Sequence, residues 1–313
     1  MSSETEEKLL AIPVVNIFVR VLKKIILPGF NGLSLYDLLE IYITGIIRGT
    51  FSSRASSIAY SFFIAIFPFL LFILNLISYI QVEGFQQRFL VFIEELLPPQ
   101  TQEFFYPVIE DIALNQRTGL TYFVLFLSLF LAANGVNAIF TAFEGSFNVT
   151  MNRAFFRQYF VALIVAICLS VLMLATVAVI LYGEFIINEL KGRAYISDDI
   201  LLINLFQVTV FVGMVYVITS GLYHFGVKEG RQTRFFSVGA LMTTLLFMLT
   251  TYLFGIYINN FSSYNELYGS IGALMIMLFY IWINSNLLLL GFELNISLQR
   301  LKERKTKSED ETT

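Results

Sequence analysis

Apolar residues run almost unbroken through six stretches of the chain: Ser56 to Ile80, Leu120 to Phe143, Gln158 to Tyr182, Leu201 to Tyr223, Phe235 to Ile258 and Tyr268 to Phe292. Each is long enough for one hydrocarbon crossing, which takes about 20 residues at about 1.5 Å apiece. Their Leu, Ile, Phe, Met and Ala content lacks the alternation of a barrel strand, so the pattern predicts six transmembrane helices. Elsewhere the pattern turns amphipathic. SLYD, Ser34 to Asp37, has the form of a capping box and opens a segment with Leu35, Leu38, Leu39, Tyr42 and Ile46 on one side and Asp37, Glu40, Thr44 and Arg48 on the other. Too polar to span, it is predicted to lie in the membrane interface. In the connection from Gln81 to Gly119, FQQRFLVFIEELLPP predicts an amphipathic helix stopped at Pro98-Pro99, followed by a short helix near Phe104 to Leu114.

The predicted fold is therefore all-α, a polytopic membrane protein with six transmembrane helices plus amphipathic interfacial and outer-loop helices. Residues 1–54 form an N-terminal segment, 55–298 the transmembrane domain and 299–313 a polar tail expected to be disordered. No short apolar core precedes a small-residue cleavage site near the start, so no removable signal peptide is expected. A threefold internal repeat is not found, because the outer connections differ greatly in length.

Composition agrees with the pattern, at 57% hydrophobic and 14% charged residues, against about 25% charged in soluble domains. Charge then adds orientation. Sixteen of the 20 Lys and Arg fall in segments that an even number of crossings places on one side; only Arg88, Arg117, Lys191 and Arg193 fall on the other. The positive-inside rule makes the basic side cytoplasmic, which predicts a multi-pass protein of the bacterial inner membrane with both termini in the cytoplasm. Topology accounts for the basic residues, so no nucleic-acid partner is expected. The long outer connection, rich in Glu, and a second one holding Asp198 and Asp199 form an acidic outer face.

Within this apolar chain one polar pattern stands out. In AANGVNAIFTAFEGSFN, Ala132 to Asn148, the residues Asn134, Asn137, Thr141, Glu144 and Asn148 are separated by steps of 3, 4, 3 and 4. On a helix they share one narrow stripe. The sixth span runs in the same direction and carries Asn286 and Glu293, while the first enters past Arg54, Ser57 and Tyr60 and contains Pro68 near its middle. An ionised group at mid-bilayer costs about 2.5–3.5 kcal/mol on insertion scales, so such residues seek protein or water. Two arrangements satisfy them. One is a cavity open to the cytoplasm, lined by Tyr60, Pro68, Asn134, Asn137, Glu144, Asn148, Asn286 and Glu293. The other is direct bonding between helices, with Arg54 or Arg48 pairing to a glutamate. In the fourth span, Asn204 and Gln207 lie one turn apart toward the outer side and could extend the wall of a path.

Several chemistries lack their residues. The chain has a single histidine, His224, and a single cysteine, Cys168, too few for a histidine-rich zinc centre or an internal disulfide. It contains no GxGxxG or GxxxxGK[ST] and no GxSxG, so neither a nucleotide site nor a nucleophile elbow is expected, and no cofactor is called for.

Ala59, Tyr60 and Pro68 in the first span resemble the AYY…S-L-F-P pattern of the YihY/BrkB family, with Ser61 in place of its second aromatic and Ala65 in place of its serine. Gly135, Asn148, Arg153 and Arg157 fit the second span and the basic loop after it. The stretch from Tyr268 to Asn295 resembles the family's last span and its closing G-x-E-L-N, with Tyr280 and Trp282 exchanged. The resemblance covers roughly Leu38 to Leu298. It implies a six-helix bacterial inner-membrane protein, once labelled ribonuclease BN and proposed as a transporter or lipid exporter.

Three functions follow from these readings. A transporter would take a lipid, amphiphile or small solute from the cytoplasmic side and release it outward, with Glu144 or Glu293 able to carry a proton. A membrane scaffold would bury every polar group against a protein partner. An intramembrane enzyme would need a metal or nucleophile cluster that the chain does not supply. Membrane lipids are the expected partners in each, with basic residues near the head groups.

Overall fold

The computed structural model describes residues 50–77, 84–96, 121–146, 153–192, 199–260 and 270–310, together with Val149 and isolated positions in the first fifty residues and between 102 and 110. Its regular elements are all helical: α1 (Thr50–Ile77), α2 (Phe85–Leu96), α3 (Thr121–Glu144), α4 (Phe155–Gly192), α5 (Asp199–Gly226), a single 3-10 turn at Glu229–Gln232, α6 (Val238–Asn260) and α7 (Ser270–Asp310). Six of them, α1 and α3 to α7, are long and apolar enough to cross a membrane. The interfacial helix expected at Ser34 to Arg48, the stop at Pro98-Pro99 and the short helix after Phe104 lie outside the described residues.

Each spanning helix packs against its neighbours in sequence, α1 on α3, then α3 on α4, α4 on α5, α5 on α6 and α6 on α7, and α7 returns to α1. The six therefore form a closed ring. Short connections favour this order from α3 to α7, since two helices joined by a brief loop bury apolar faces with little chain between them; α1 and α3 pack together across the long connection that carries α2. Around the outside, rings and aliphatic side chains such as Phe126, Phe160, Tyr182, Leu205 and Tyr252 are exposed, as a surface facing lipid requires.

Two apolar cores divide the ring along its axis. Around the start of α1, Phe51, Ala55 and Ile58 meet Phe140 and Phe143 of α3, Tyr223 of α5 and Leu289 and Phe292 of α7. Phe143 and Phe292 stack with centroids 4.1 Å apart. Arg54, Arg153, Arg157, Lys228 and Arg231 lie at this end, called here the basic end. At the opposite end Leu70, Phe72 and Ile73 of α1, Met173 and Val177 of α4 and Ile281 of α7 join Phe85, Phe89, Leu90, Phe92 and Ile93 of α2. The amphipathic pattern of α2 thus places its apolar face as a cap on the ring. Gly84 starts that helix at φ +77°, a left-handed conformation that favours glycine.

Two helices outrun their apolar stretches. α4 continues ten residues beyond Tyr182 to Gly192, running through Gly183 into FIINELKG without a proline. α7 continues to Asp310, past residue 299 where the apolar run ends. The reason is propensity: LKERKTKSED is dominated by Lys, Glu, Arg and Leu, which are good helix formers even where nothing is left to bury.

Candidate functional site

At the basic end the start of α1 meets the end of α3 and the polar stretch of α7 around Glu293. Arg54 is in the first turns of α1, and its Nε donates to the carbonyl of Ala142 at 2.7 Å, a carbonyl in the last turn of α3 that has no partner within the helix. Its Nη1 donates to Glu293 Oε1 of α7 at 3.0 Å. The other carboxylate oxygen accepts from the Ser146 hydroxyl at 2.6 Å, so both Glu293 oxygens are engaged and the residue is 6% exposed. A buried pair of this kind gains little net stability, but removing one partner leaves a charge without compensation. The pair joins the two helices that close the ring.

Next to it is a second network. Glu144, the last residue of α3, accepts a hydrogen bond from the backbone N–H of Arg153 at 3.0 Å. In the amide orientation that gives this carboxylate a donor, Gln158 of α4 donates to Glu144 at 3.0 Å and turns its oxygen to the Thr141 hydroxyl, also at 3.0 Å. The Asn137 Oδ1 is 3.3 Å from the Gln158 oxygen in that orientation, a close approach of two acceptors and not a hydrogen bond. Arg153 carries the network onward: its Nη1 donates to the carbonyls of Phe225 at 2.6 Å and Gly226 at 3.4 Å, where α5 ends. A cation there complements the negative end of the helix dipole. Burial first, and then the nearby Arg231, pull the Arg153 guanidinium below the usual arginine range. Arg153 also borders a pocket of about 190 Å³ shared with Arg157, Val161, Lys228 and Arg231.

These contacts sort the eight cavity candidates. Asn137 and Glu144 come together beside Gln158, and Glu293 is nearby but bound into the α1–α7 pair. Asn286 is buried, and its amide donates within its own helix to the Trp282 carbonyl at 2.7 Å. Asn134 is exposed, and Tyr60 is 68% exposed on the outside of α1. Pro68 is inside α1, where it leaves the Ile64 carbonyl without a donor. Asn148 lies outside the described residues. None of the other seven borders the basic pocket or the larger pocket at the opposite end. The three helices do converge, as their polar positions suggest, and they meet through ion pairing and hydrogen bonds with Arg54 as the cation.

The larger pocket, about 340 Å³, is bounded by α2, α4 and α5 at the opposite end. Val91, Phe92, Val177, Ile180, Val208 and Phe211 form its apolar walls. At its polar side Glu184 of α4 is 8% exposed, paired to Arg88 Nη2 of α2 at 2.7 Å and accepting from Gln207 Nε2 of α5 at 2.7 Å. Asn204 completes that side. The volume is within the range of small-molecule sites. Asn204 and Gln207 were visible in the sequence as a polar step on the fourth span. Arg88 and Glu184 were not, although an acid just past the end of an apolar run and the cation of an amphipathic helix were the available signals. Among the described residues no three His, Cys, Asp or Glu side chains gather as a metal site.

Comparison with known proteins adds a family. The model of the family described as virulence factor BrkB matches residues 43–313, and the chain belongs to that family. It is similar to YfkH of Bacillus subtilis strain 168, whose name calls it ribonuclease-like, at 27% identity over 259 residues, which is 80% of this chain and 91% of YfkH. A protein of Coxiella burnetii strain Dugway 5J108-111, named a UPF0761 membrane protein, is 27% identical over 76% of this chain and 84% of its own length. The UPF0761 membrane protein of Psychrobacter sp. strain PRwf-1 is 36% identical over 78 residues, a quarter of this chain and 14% of that protein. No solved structure matches.

Proposed function

We propose that this membrane protein of the BrkB family is a transporter that carries an amphiphile from the cytoplasmic leaflet of the bacterial inner membrane toward the outer face, without transforming it chemically. The observation that carries the reading is the pocket of about 340 Å³ between α2, α4 and α5, which combines apolar walls suited to an acyl chain with a polar side suited to a head group. In this reading both termini are cytoplasmic, as the distribution of Lys and Arg supports, and the basic end is the cytoplasmic end. The large pocket is then the outer station of the path. The Arg54–Glu293 pair keeps the inner end shut, and its parting would open a cytoplasmic cavity at Asn137, Glu144, Asn286 and Glu293, without the exposed Tyr60 and Asn134. One histidine and one cysteine give little support to hydrolysis, so the ribonuclease-like name of YfkH is not carried over.

The closed network at the basic end favours a second reading, a membrane scaffold that moves nothing. Proteoliposomes separate the two. With fluorescent phospholipid supplied to one leaflet, the protein should speed its appearance in the other. Arg88→Gln, which leaves Glu184 without its cation, should cut that rate about tenfold, the effect of about 1.4 kcal/mol. Lipid movement no faster than in empty vesicles would leave the scaffold.

A further inference from the structure

The basic pocket gathers four cations from two places in the chain. Arg153 lies just before α4 and Arg157 in its first turn, while Lys228 and Arg231 flank and belong to the turn after α5. Two acids oppose them: Glu144 and Glu229 both act on Arg153. Four positive charges against two negative ones leave a surplus of two, held in a space that Val161 partly walls with hydrocarbon. Like charges held this close repel, and Arg157 also faces the positive end of the α4 dipole. The fold keeps them together nonetheless.

Arg153 supplies the sharper observation. It is 8% exposed, its Nη1 is used by the carbonyls that end α5, and its Nη2 is buried with no hydrogen-bond partner. A buried guanidinium N–H without an acceptor is costly, and a charged acceptor is its strongest complement. The rest of the pocket specifies what kind. Two more guanidinium forks and one ammonium suit a tetrahedral oxyanion, whose several oxygens can engage more than one cation at once.

Depth in the membrane narrows the source. Phe155, Phe156 and Phe160 are 68%, 86% and 63% exposed and share the first two turns of α4 with Arg157. Exposed phenyl rings belong against acyl chains, and exposed cations against water or head groups. Both on adjacent turns place the pocket at the level of the phosphates of a bilayer.

We propose that Arg153, Arg157, Lys228 and Arg231 form a binding site for a phosphate-class anion, a lipid head-group phosphate or the free ion. The site does not depend on transport; a scaffold would need the same anchor to the bilayer. Arg153 positions the anion from below, and Arg157 and Arg231, both exposed, close on it from the open side.

The test uses the full chain in a neutral detergent free of phosphate and sulfate. Ligands are inorganic phosphate, short-chain phosphatidylglycerol and, as a lipid without phosphate, the diacylglycerol of the same chain length. Saturable binding is followed by the shift in thermal unfolding. Phosphatidylglycerol raising the midpoint where diacylglycerol does not supports the site with a lipid source; inorganic phosphate alone doing so supports it with the free ion. Arg157→Gln with Arg231→Gln should weaken binding at least tenfold, and Arg157→Lys with Arg231→Lys should recover part of it. Removing two charges elsewhere, as Lys305→Gln with Lys307→Gln, should change it little. No response to either phosphate, or equal loss in the Lys305 and Lys307 variant, overturns the proposal.

Discussion

Glu293 shows how far a single residue can be read before its neighbours are known. Its seven-residue spacing from Asn286 put both on one face of the last span, and the cost of an isolated charge in lipid demanded a partner. That Arg54 would be the partner was one of two arrangements open from the sequence, because nothing in a linear pattern tells a wet cavity from a salt bridge. Both need the same residue types at the same depth. The structure adds the Ala142 carbonyl on Arg54 Nε and the Ser146 hydroxyl on Glu293, and leaves Arg54 Nη2 buried without a hydrogen-bond partner. Glu293→Gln should accordingly destabilise the protein by about 3–5 kcal/mol, since it strands Arg54 among buried groups. Replacing both, as Arg54→Met with Glu293→Met, should cost less than that single change. A double-mutant cycle read from thermal unfolding in detergent checks this, and additive losses would show that the two side chains are not coupled. Tyr223 gave no such signal. A tyrosine near the end of an apolar span reads as an interface anchor, yet it is almost fully buried, donating to the Leu288 carbonyl at 2.7 Å with Thr243 Oγ1 at 2.6 Å. Tyr223→Phe should cost about 1–3 kcal/mol for the polar groups it leaves behind, measured the same way.

At the scale of helices, length and hydropathy were enough to find six spans, and propensity was enough to have extended the last one. What could not be read is where one helix touches another. α5, α6 and α7 meet where Gly239 of α6 faces Gly291 of α7. A Cβ on Gly291 would run into Thr243 and come within 2.6 Å of the Tyr223 hydroxyl and 2.8 Å of the Gly239 carbonyl. Gly239 and Thr243 form a small-xxx-small pair on α6, but Gly291 has Leu287 and Asn295 four residues away, so the α7 side of the contact was not announced by the sequence. Ser237 supports the same junction by capping α6, its hydroxyl accepting from the Ala240 N–H at 3.3 Å. Gly291→Ala should therefore separate α6 from α7 and cost about 1–3 kcal/mol, the usual penalty for overfilling a packed seam. Gly213→Ala is the control, since a Cβ there meets nothing within 4 Å. Equal unfolding midpoints for the two variants would mean that the seam has slack.

For the whole molecule the decisive feature is that both pockets lie on the α4–α5 pair, one at each end. Arg157 and Glu184 are 27 positions apart on α4, about 40 Å along a helix axis, which is longer than the hydrocarbon core of a bilayer at about 30 Å. An amphiphile crossing the membrane would thus have a place to be held at either surface with the same two helices between them. The pocket at the basic end is built from cations and the one at the opposite end from hydrocarbon with one compensated acid, so the two suit different parts of one molecule. The transport reading then makes a volumetric demand: the outer pocket has to be empty enough to receive a chain. Val208 lines it and is 59% exposed, so a larger side chain there can be accommodated without repacking the core. Val208→Trp should fill much of the pocket and lower lipid movement in proteoliposomes about tenfold, with the unfolding midpoint unchanged. Val179→Trp is the matched control, because Val179 is also exposed, at 49%, but does not line the pocket. If both tryptophan variants move lipid as fast as the parent protein, the space between α2, α4 and α5 is not on the path.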